Sequence, residues 1–271
     1  MQHRDSVVII VQARTGSQRL PGKVLLPLAG KSSLVRQVER LRRCRYAAAV
    51  VVATTHLESD DIIESLCHHE GILCFRGHPT DLLDRHYQCA RAYGATTVVK
   101  VPSDCPLIDP VIVDTVIEAH LRAPRTYDYV SNLHPATFPD GNDVELITLT
   151  ALERAWNNAC KQFQREHTTP YIWDNPHLFR IGNIVWKSGM DYSMSHRWTL
   201  DYEADYHFIR TVYDELYDKK PDFGLNDILW MLNAKPEIAR INSVYAGVNW
   251  YAHHLDELTT VGEHHTRILI Q

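Results

Sequence analysis

The chain has 271 residues, of which 45% are hydrophobic and 23% charged, and its formal net charge is −5. These figures are typical of a globular protein with one large or two small domains, and they exclude a disordered chain. No window of about 18 apolar residues exists, so no membrane-spanning helix is predicted. The N-terminus lacks the apolar stretch of a secretory signal, and no C-x-x-C pair is present. We therefore expect reduced thiols and a cytoplasmic location.

The charge is unevenly distributed along the chain. Residues 1–50 hold ten Lys and Arg but only two acids, so the rest of the chain is strongly acidic. A basic segment on an acidic protein predicts a local binding site for an anion. For Arg36 to Arg45, a helix with a solvated basic face explains the charges equally well. The negative total argues against a nucleic-acid partner.

The first part of the chain alternates between buried strands and amphipathic helices. Strands are predicted at 6–13, 47–54, 72–75 and 96–101, and helices at 33–43, from about 59, at 81–93 and at 110–121. This alternation predicts an α/β fold with a mostly parallel, Rossmann-like sheet and helices on both faces. Ligands of such sheets bind beyond the carboxyl ends of the strands, which indicates the loops at 14–23 and 102–110.

From about residue 125 the pattern becomes richer in short strands. Strands are predicted at 127–131, 143–148, 179–186 and 197–200, and helices at 150–160, 166–173, 203–216 and 225–232. We interpret 125–200 as a β-rich insertion that forms a lid or faces the substrate. After about Ser243 the chain is weakly patterned, and we interpret its terminal histidine pairs as polar tail residues rather than a metal site.

The loop after the first strand carries the strongest chemical signal. It reads Gln-Ala-Arg-Thr-Gly-Ser-Gln-Arg-Leu-Pro-Gly-Lys over residues 12–23, with two glycines, three cations and no acid. Glycines let backbone amides surround an anion, and Arg and Lys neutralise it, which suits a nucleoside triphosphate. The spacing between Gly16 and Gly22 excludes a P-loop, and no G-x-G-x-x-G is present. A surface turn with solvated charges is the alternative.

This loop resembles the A-R-x-x-S-x-R-L-P-G-K signature of the sugar-activating cytidylyltransferases. Within that family the resemblance is above all to the spore-coat polysaccharide cytidylyltransferase-like group, which is related to the CMP-ketodeoxyoctulosonate and acylneuraminate cytidylyltransferases. Further segments that resemble the family follow in order at 75–77, 81–85, 103–110, 138–145, 165–172 and 197–201.

The resemblance covers about residues 6–242 and carries expectations about architecture. It implies a three-layer fold like that of the nucleotide-diphospho-sugar transferases. We expect a single nucleotidyltransferase domain at 1–242, within which about 125–200 forms a lid or dimerisation insertion. Residues 243–271 are then a C-terminal extension of unknown role.

The resemblance also implies an activity. This activity is CTP-dependent transfer of CMP to an acidic sugar or similar anionic acceptor, with release of pyrophosphate, in surface glycan precursor synthesis. Mg²⁺ is the implied cofactor, and a homodimer without nucleic-acid or membrane partners is expected. Asp104 and Asp201 match the metal ligands of the family, although a loop cap and a helix cap would explain them without a metal. Asp109, before Pro110, is predicted only to cap a helix.

Site residues follow from these matches. The predicted nucleotide-binding residues are Ala13, Arg14, Gly16, Ser17, Arg19, Lys23, Arg85 and Ser103. The predicted catalytic residues are Arg14, Lys23 and Asp104. The candidates for the acceptor are Asp140, Asp143, Glu145, His167 and Arg197, each of which a turn or a buried hydrogen bond would explain equally well. For Arg85, surface pairing with Asp81 or Asp84 is the alternative.

One position departs from the family pattern. The octulosonate synthetases typically have V-Q-G-D-x-P, whose Gln helps to read the nucleotide, whereas this chain has Val-Pro-Ser-Asp-Cys-Pro at 101–106. Pro102 has no side-chain donor, so base recognition must come from elsewhere.

Three alternative functions stay open: transfer to an acceptor with a phosphate or phosphonate, a glycosyltransferase on the same fold, and a non-catalytic nucleotide-binding protein. The lack of an Asp-x-Asp in a strand-end loop argues against the glycosyltransferase.

Overall fold

The computed structural model describes residues 6–123 and 125–268. Residues 1–5, 124 and 269–271, which fall within the predicted segments 1–242 and 243–271, lie outside the described residues. No described helix is both long enough and apolar enough to cross a membrane.

A seven-stranded sheet forms the centre of the molecule. The strands in chain order are β1 Val7–Gln12, β2 Pro27–Leu28, β3 Lys31–Ser32, β4 Ala49–Thr55, β5 Leu73–Gly77, β6 Thr97–Pro102, β7 Tyr129–Ser131, β8 Glu145–Thr148 and β9 Ile181–Asn183. The order across the sheet is β5-β4-β1-β6-β8-β7-β9, and β2 and β3 form a separate pair. Among these seven strands β8 alone runs against its neighbours. The predicted mostly parallel sheet is confirmed.

The helices lie on both faces of this sheet. They are α1 Ser33–Leu41, α2 Asp61–His69, α3 Leu82–Ala92, α4 Pro110–Arg122, α5 Leu149–Asn158, α6 Gln162–His167, α7 Pro170–Trp173, α8 Glu203–Leu216, α9 Leu225–Ala234 and α10 Pro236–Ala239. Short 3-10 helices lie at Lys23–Leu25, Glu58–Asp60, Ser243–Tyr245, Trp250–His253 and Glu263–His265. Asp109 accepts a hydrogen bond from the amide of Val111 at 2.8 Å, so its predicted cap role is confirmed.

The alternation of side chains along the central strands explains the three layers. In β1, Ile9 and Val11 face a core with α1, α2, α4, α8 and α9, whereas Val8 and Ile10 face a second core with α3, α5, α6 and α7. Because both faces are covered, these strands are apolar almost throughout. Each fully buried aliphatic side chain stabilises the fold by about 1.5–3 kcal/mol.

The section at 125–200 is less separate than its pattern indicates. Its three strands, β7, β8 and β9, extend the central sheet beyond β6. The predicted helix at 166–173 is two short helices, because Thr168 has a φ of +71° that ends α6. The role of this section as a lid or dimerisation insertion stays a prediction.

The predicted strand at 197–200 is wrong. These residues form no sheet strand, although Arg197 makes an isolated parallel bridge with Asp140. The amide of Asp140 donates to the carbonyl of His196 at 2.9 Å, and the amide of Trp198 donates to the carbonyl of Asp140 at 2.7 Å. The segment therefore lies against the loop before β8, with too few paired residues to make a strand.

Gly141 allows this close approach, and its substitution tests the contact. Its φ is +101°, and a Cβ would lie 2.7 Å from the carbonyl carbon of Trp198. We expect Gly141→Ala to lower the free energy of unfolding by about 2–5 kcal/mol through backbone strain and collision. Gly189 has a φ of +75° but open space around it, so Gly189→Ala should lose only about 1–2 kcal/mol. Equal losses in urea unfolding would contradict this reading of the loop.

Candidate active site

The loop after β1 folds back on itself at the carboxyl edge of the sheet. The amide of Gly22 donates to the carbonyl of Thr15 at 3.0 Å, and the φ of Gly22 is +67°, which glycine adopts without strain. The amide and hydroxyl of Thr15 donate to the carboxylate of Asp60 at 2.8 and 2.7 Å. These bonds close the loop and leave Arg14 and Arg19 exposed.

The other predicted nucleotide residues of this edge have distinct positions. The amide of Ala13 donates to β4, and that of Ser17 donates to the carbonyl of Thr15 at 2.9 Å, so both residues shape the loop. Gly16 is exposed, and Ser103 is buried beside Asp104 at the end of β6.

Lys23 joins the two predicted metal ligands. Its Nζ lies 3.1 Å from Oδ2 of Asp104 and 2.8 Å from Oδ1 of Asp201, and Nη2 of Arg19 lies 2.8 Å from the same oxygen of Asp201. The Lys23 side chain is 12% exposed. Burial opposes its charge, but the two carboxylates outweigh that effect and raise the pKa of Lys23 above its ordinary value. Lys23 is therefore a cation at neutral pH.

Backbone contacts bring the two carboxylates together. The amide of Leu200 donates to the carbonyl of Asp104 at 2.7 Å, which ties the loop after β6 to the segment before α8. The amides of Asp201 and the next residue both donate to Oδ2 of Asp205 at 3.0 Å, so Asp205 satisfies the start of α8. The carboxylate of Asp201 is thereby left to face Lys23, and the helix-cap alternative for Asp201 is wrong.

Asp201 is held ionised by its surroundings. Burial disfavours its charge, but the nearby Lys23, Arg19 and Arg197 outweigh burial and lower the pKa of Asp201 to about 2. Its carboxylate therefore carries a full charge at neutral pH.

Arg197 lies beneath the carboxylates. Its side chain is 1% exposed, and its guanidinium nitrogens lie 2.9 Å from Asp205, 3.3 Å from Asp201 and 3.4 Å from Asp140. Nη1 also donates to the carbonyl of Val248 at 2.6 Å. This enclosure does not fit the direct acceptor contact predicted for Arg197. It fits a residue that positions Asp140 and Asp201.

Arg85 is also enclosed. It is buried, and its guanidinium donates to the carbonyls of His78 and Pro79 at 2.8 Å each. Burial and the nearby Arg14 lower its pKa to about 10. The predicted alternative, a surface pair with Asp81 or Asp84, is wrong for Asp81, whose carboxylate binds Arg165 instead. This enclosure does not fit the direct nucleotide contact predicted for Arg85.

The remaining acceptor candidates form an acidic region beside Asp104. Burial, together with Asp104 and Glu145, raises the pKa of Asp143 to about 7. Burial and Asp143 raise the pKa of Asp140 well above its ordinary value. Oε1 of Glu145 lies 3.2 Å from Nζ of Lys100, while its Oε2 is buried without a hydrogen-bond partner among the described residues. These groups can accept hydrogen bonds from a hydroxyl-bearing ligand.

Lys100 was missed by the sequence reasoning. It is buried within β6, where it pairs with Glu145. A lysine within the apolar run Val-Val-Lys-Val is the signal that would have found it, because an unpaired buried lysine is costly. His86 and His134 were also missed, and no sequence pattern marks them.

Three histidines on this side of the sheet are held neutral. Burial is the main cause that lowers the pKa of His86 and His167 to about 3 and that of His134 to about 4. Nδ1 of His86 lies 2.8 Å from the carbonyl of Leu82, and its Nε2 is buried without a partner among the described residues. Neutral imidazoles offer this region both donors and acceptors without adding charge.

His86 predicts a measurable pH dependence. Its pKa is lower in the folded protein than in the unfolded chain, so the unfolded chain takes up the proton first as the pH falls below about 6.5. Stability is therefore lost as the pH falls. Between pH 7 and 5 we expect His86→Gln to remove about 2 kcal/mol of the fall in unfolding free energy. His69→Gln, at a side chain 83% exposed, is the control, and parallel curves for His86→Gln and wild type would refute the assignment.

The chain is similar to known proteins in sequence and in fold. A family model described as cytidylyltransferase matches residues 8–223. The spore coat polysaccharide biosynthesis protein SpsF of Bacillus subtilis is 30% identical over 240 residues, which cover 87% of this chain and 97% of SpsF. A cytidylyltransferase structure from Leptospira borgpetersenii has a TM-score of 0.83 and 31% identity, and the match covers 88% of this chain and 98% of that one.

A more distant structure shares the fold. It is a CMP:2-keto-3-deoxy-manno-octonic acid synthetase in complex with CTP, with a TM-score of 0.60, 17% identity, and coverage of 78% of this chain and 99% of that one. The family match extends from β1 across the segments that carry Lys23, Asp104 and Asp201. The predicted resemblance is confirmed: the chain belongs to the cytidylyltransferase family and is a nucleotidyltransferase.

Proposed function

We propose that the protein transfers CMP from CTP to an acidic sugar or similar anionic acceptor, with release of pyrophosphate, in the synthesis of surface glycan precursors. The observation that carries the proposal is the convergence of Lys23, Asp104 and Asp201 at the carboxyl edge of the sheet. Exposed Arg14 and Arg19 lie on the loop that supplies Lys23. A triphosphate with its metal needs this combination of cations and carboxylates in one place.

The donor set of the site fits Mg²⁺. Asp104 and Asp201 offer hard carboxylate oxygens that approach one common ammonium group. No cluster of three or more His, Cys, Asp or Glu that suits a metal is found in the described part of the chain. Mg²⁺ usually takes one or two carboxylates and completes its shell with phosphate oxygens and water, so two carboxylates suffice. When bound, it would neutralise charge on the phosphates.

The chain's own residues then have separate tasks. Arg14 and Arg19 bind phosphate oxygens, and Lys23 neutralises the charge that develops on the α-phosphate and the departing pyrophosphate. Asp143, a carboxyl near Asp104 and Glu145, can accept a hydrogen bond from the acceptor hydroxyl. Arg197, which is itself held by Asp205, binds the carboxylates of Asp140 and Asp201 and limits their motion during transfer.

We also propose that the protein is a cytoplasmic homodimer. All six cysteines are free thiols, which supports a reducing compartment. The dimer rests on the resemblance and is checked by light scattering of the purified protein.

Nucleotide preference and turnover test the proposed function. With Mg²⁺ present, CTP at 1,000 times its dissociation constant should raise the free energy of unfolding by about 4 kcal/mol. UTP, ATP and GTP at the same concentration should raise it less. Pyrophosphate should appear when CTP is combined with one acceptor from a panel of sugar acids, phosphorylated compounds and phosphonates, and EDTA should stop it. If none of the four nucleotides releases pyrophosphate with any acceptor, the proposal is wrong.

Substitution of Lys23 tests its assigned task. We expect Lys23→Met to lower kcat/KM for CTP about 10²–10³-fold, because an oriented charge in the transition state is lost. Lys31→Met is the matched control, since Lys31 binds Glu39 and Glu70 rather than Asp104 and Asp201. This variant should keep wild-type activity. Circular dichroism checks that both variants fold. Wild-type kcat/KM in a folded Lys23→Met protein would remove Lys23 from the chemistry.

A further inference from the structure

The residues at 243–268, called here the C-terminal segment, follow the part of the chain that the family explains. The family match ends at residue 223. SpsF is matched over 97% of its length and the Leptospira structure over 98%, yet 13% and 12% of this chain stay outside those two matches. This segment is nevertheless packed, because Leu258 and Val261 are buried in the second core.

The C-terminal segment is held by hydrogen bonds at several points, one of which is at the site. The carbonyl of Val248 accepts from Nη1 of Arg197 at 2.6 Å. Farther along, the amides of Thr259 and Thr260 donate to Oδ1 of Asp174 at 3.2 and 2.8 Å. The amide of Arg267 then returns to the carbonyl of Gly247 at 2.7 Å, which closes the segment on itself. The residues between these ties are thus held in place.

Trp250 lies flat on the candidate acceptor residue His167. The two ring centroids are 3.7 Å apart, and the planes differ by 10°. His254 approaches the same imidazole edge-on, at 5.6 Å and 71°. Two rings from the C-terminal segment therefore fix the orientation of His167.

Tyr251 packs against its neighbour Trp250, with ring centroids 4.7 Å apart. Burial, together with Asp143, Glu145 and Asp140, raises its pKa well above the ordinary value, so its hydroxyl stays protonated. Its ring lies 6.2 Å from His134. The C-terminal segment thereby adds a phenol, whose hydroxyl can donate a hydrogen bond, beside the rings of Trp250 and His134.

We propose that the C-terminal segment forms the acceptor-side wall of the active site, in which Trp250 positions His167 and the Tyr251 hydroxyl helps to select the acceptor. The inference rests on the proposed function. Carboxylates accept hydrogen bonds from hydroxyl groups, the phenol donates one, and aromatic faces pack on the C–H face of a ring. This combination suits an acceptor with a polyhydroxylated ring, and it offers little to a small ringless phosphonate.

The test uses the full-length protein and separate KM values for CTP and for the acceptor. The probes are 3-deoxy-manno-octulosonate and N-acetylneuraminate as sugar acids, and 2-aminoethylphosphonate as the ringless compound. With the better sugar acid, Trp250→Ala should raise the acceptor KM at least tenfold, and Tyr251→Phe severalfold, while KM for CTP stays within twofold. Trp250→Phe should recover most of the loss, because a phenyl ring preserves the stack on His167.

Matched controls separate the wall from general packing effects. Trp230→Ala removes a tryptophan on α9 that is 79% exposed, and Tyr245→Phe removes a hydroxyl of the same segment while keeping the ring that stacks on Tyr202. Both should keep the wild-type acceptor KM. A parallel rise of both KM values with a loss of thermal stability in the Trp250 and Tyr251 variants would indicate a merely structural segment and overturn the inference.

The remaining outcomes are also decisive. A lower acceptor KM in Trp250→Ala would show that the segment obstructs the site, which contradicts a wall that helps binding. Turnover by the wild type with 2-aminoethylphosphonate alone would overturn the inference but leave CMP transfer standing. Normal wild-type turnover with unaffected variants would do the same. If the wild type releases no pyrophosphate from any nucleotide, the proposed function fails, and the inference fails with it.

Discussion

The ammonium of Lys23 between the carboxylates of Asp104 and Asp201 joins three parts of the chain that are distant in sequence. Lys23 comes from the loop after β1, Asp104 from the end of β6, and Asp201 from the segment before α8. Burying the Lys23 ammonium alone would be costly, and the two carboxylates offset that cost. Because Arg197 binds Asp201, Asp140 and Asp205, the arrangement extends from the predicted metal ligand Asp201 to the acceptor candidate Asp140.

Much of the central fold follows from local sequence. The apolar runs that become β1, β4 and β6 are buried on both faces of a parallel sheet, and that burial is what a continuous apolar run encodes. Helix α8 begins and ends where its pattern predicts. The strand predicted at 197–200 was wrong because the partner of this segment, the loop around Asp140, lies almost 60 residues away and pairs with it at a single bridge. Local periodicity carries no information about such a contact.

The part of the site that follows from the sequence motifs could be predicted. Arg14, Arg19 and Lys23 stand at one edge of the sheet with Asp104 and Asp201, as the resemblance implies. Spacing did not foresee that Arg197 and Arg85 would be enclosed, since burial of a long side chain depends on tertiary packing.

The packing of the C-terminal segment could not be predicted from the sequence for a related reason. It packs through single rings on short 3-10 helices and irregular backbone rather than through a long helix or a strand, so it shows no period. Its contacts with Arg197 and His167 nevertheless connect it to two of the predicted site residues. The basic first fifth of the chain and the acidic remainder thus meet in one charged centre, and the uneven charge of the sequence reflects that meeting.

Calorimetric titration of CTP, with and without Mg²⁺, tests this centre most directly. If Asp104 and Asp201 hold the metal beside the triphosphate, Mg²⁺ should strengthen CTP binding to the wild type at least tenfold, or by about 1.4 kcal/mol. In the folded Asp104→Asn, Asp201→Asn double variant this gain should disappear. Equal CTP affinity with and without Mg²⁺ in the wild type, or an undiminished gain in the double variant, would contradict the account.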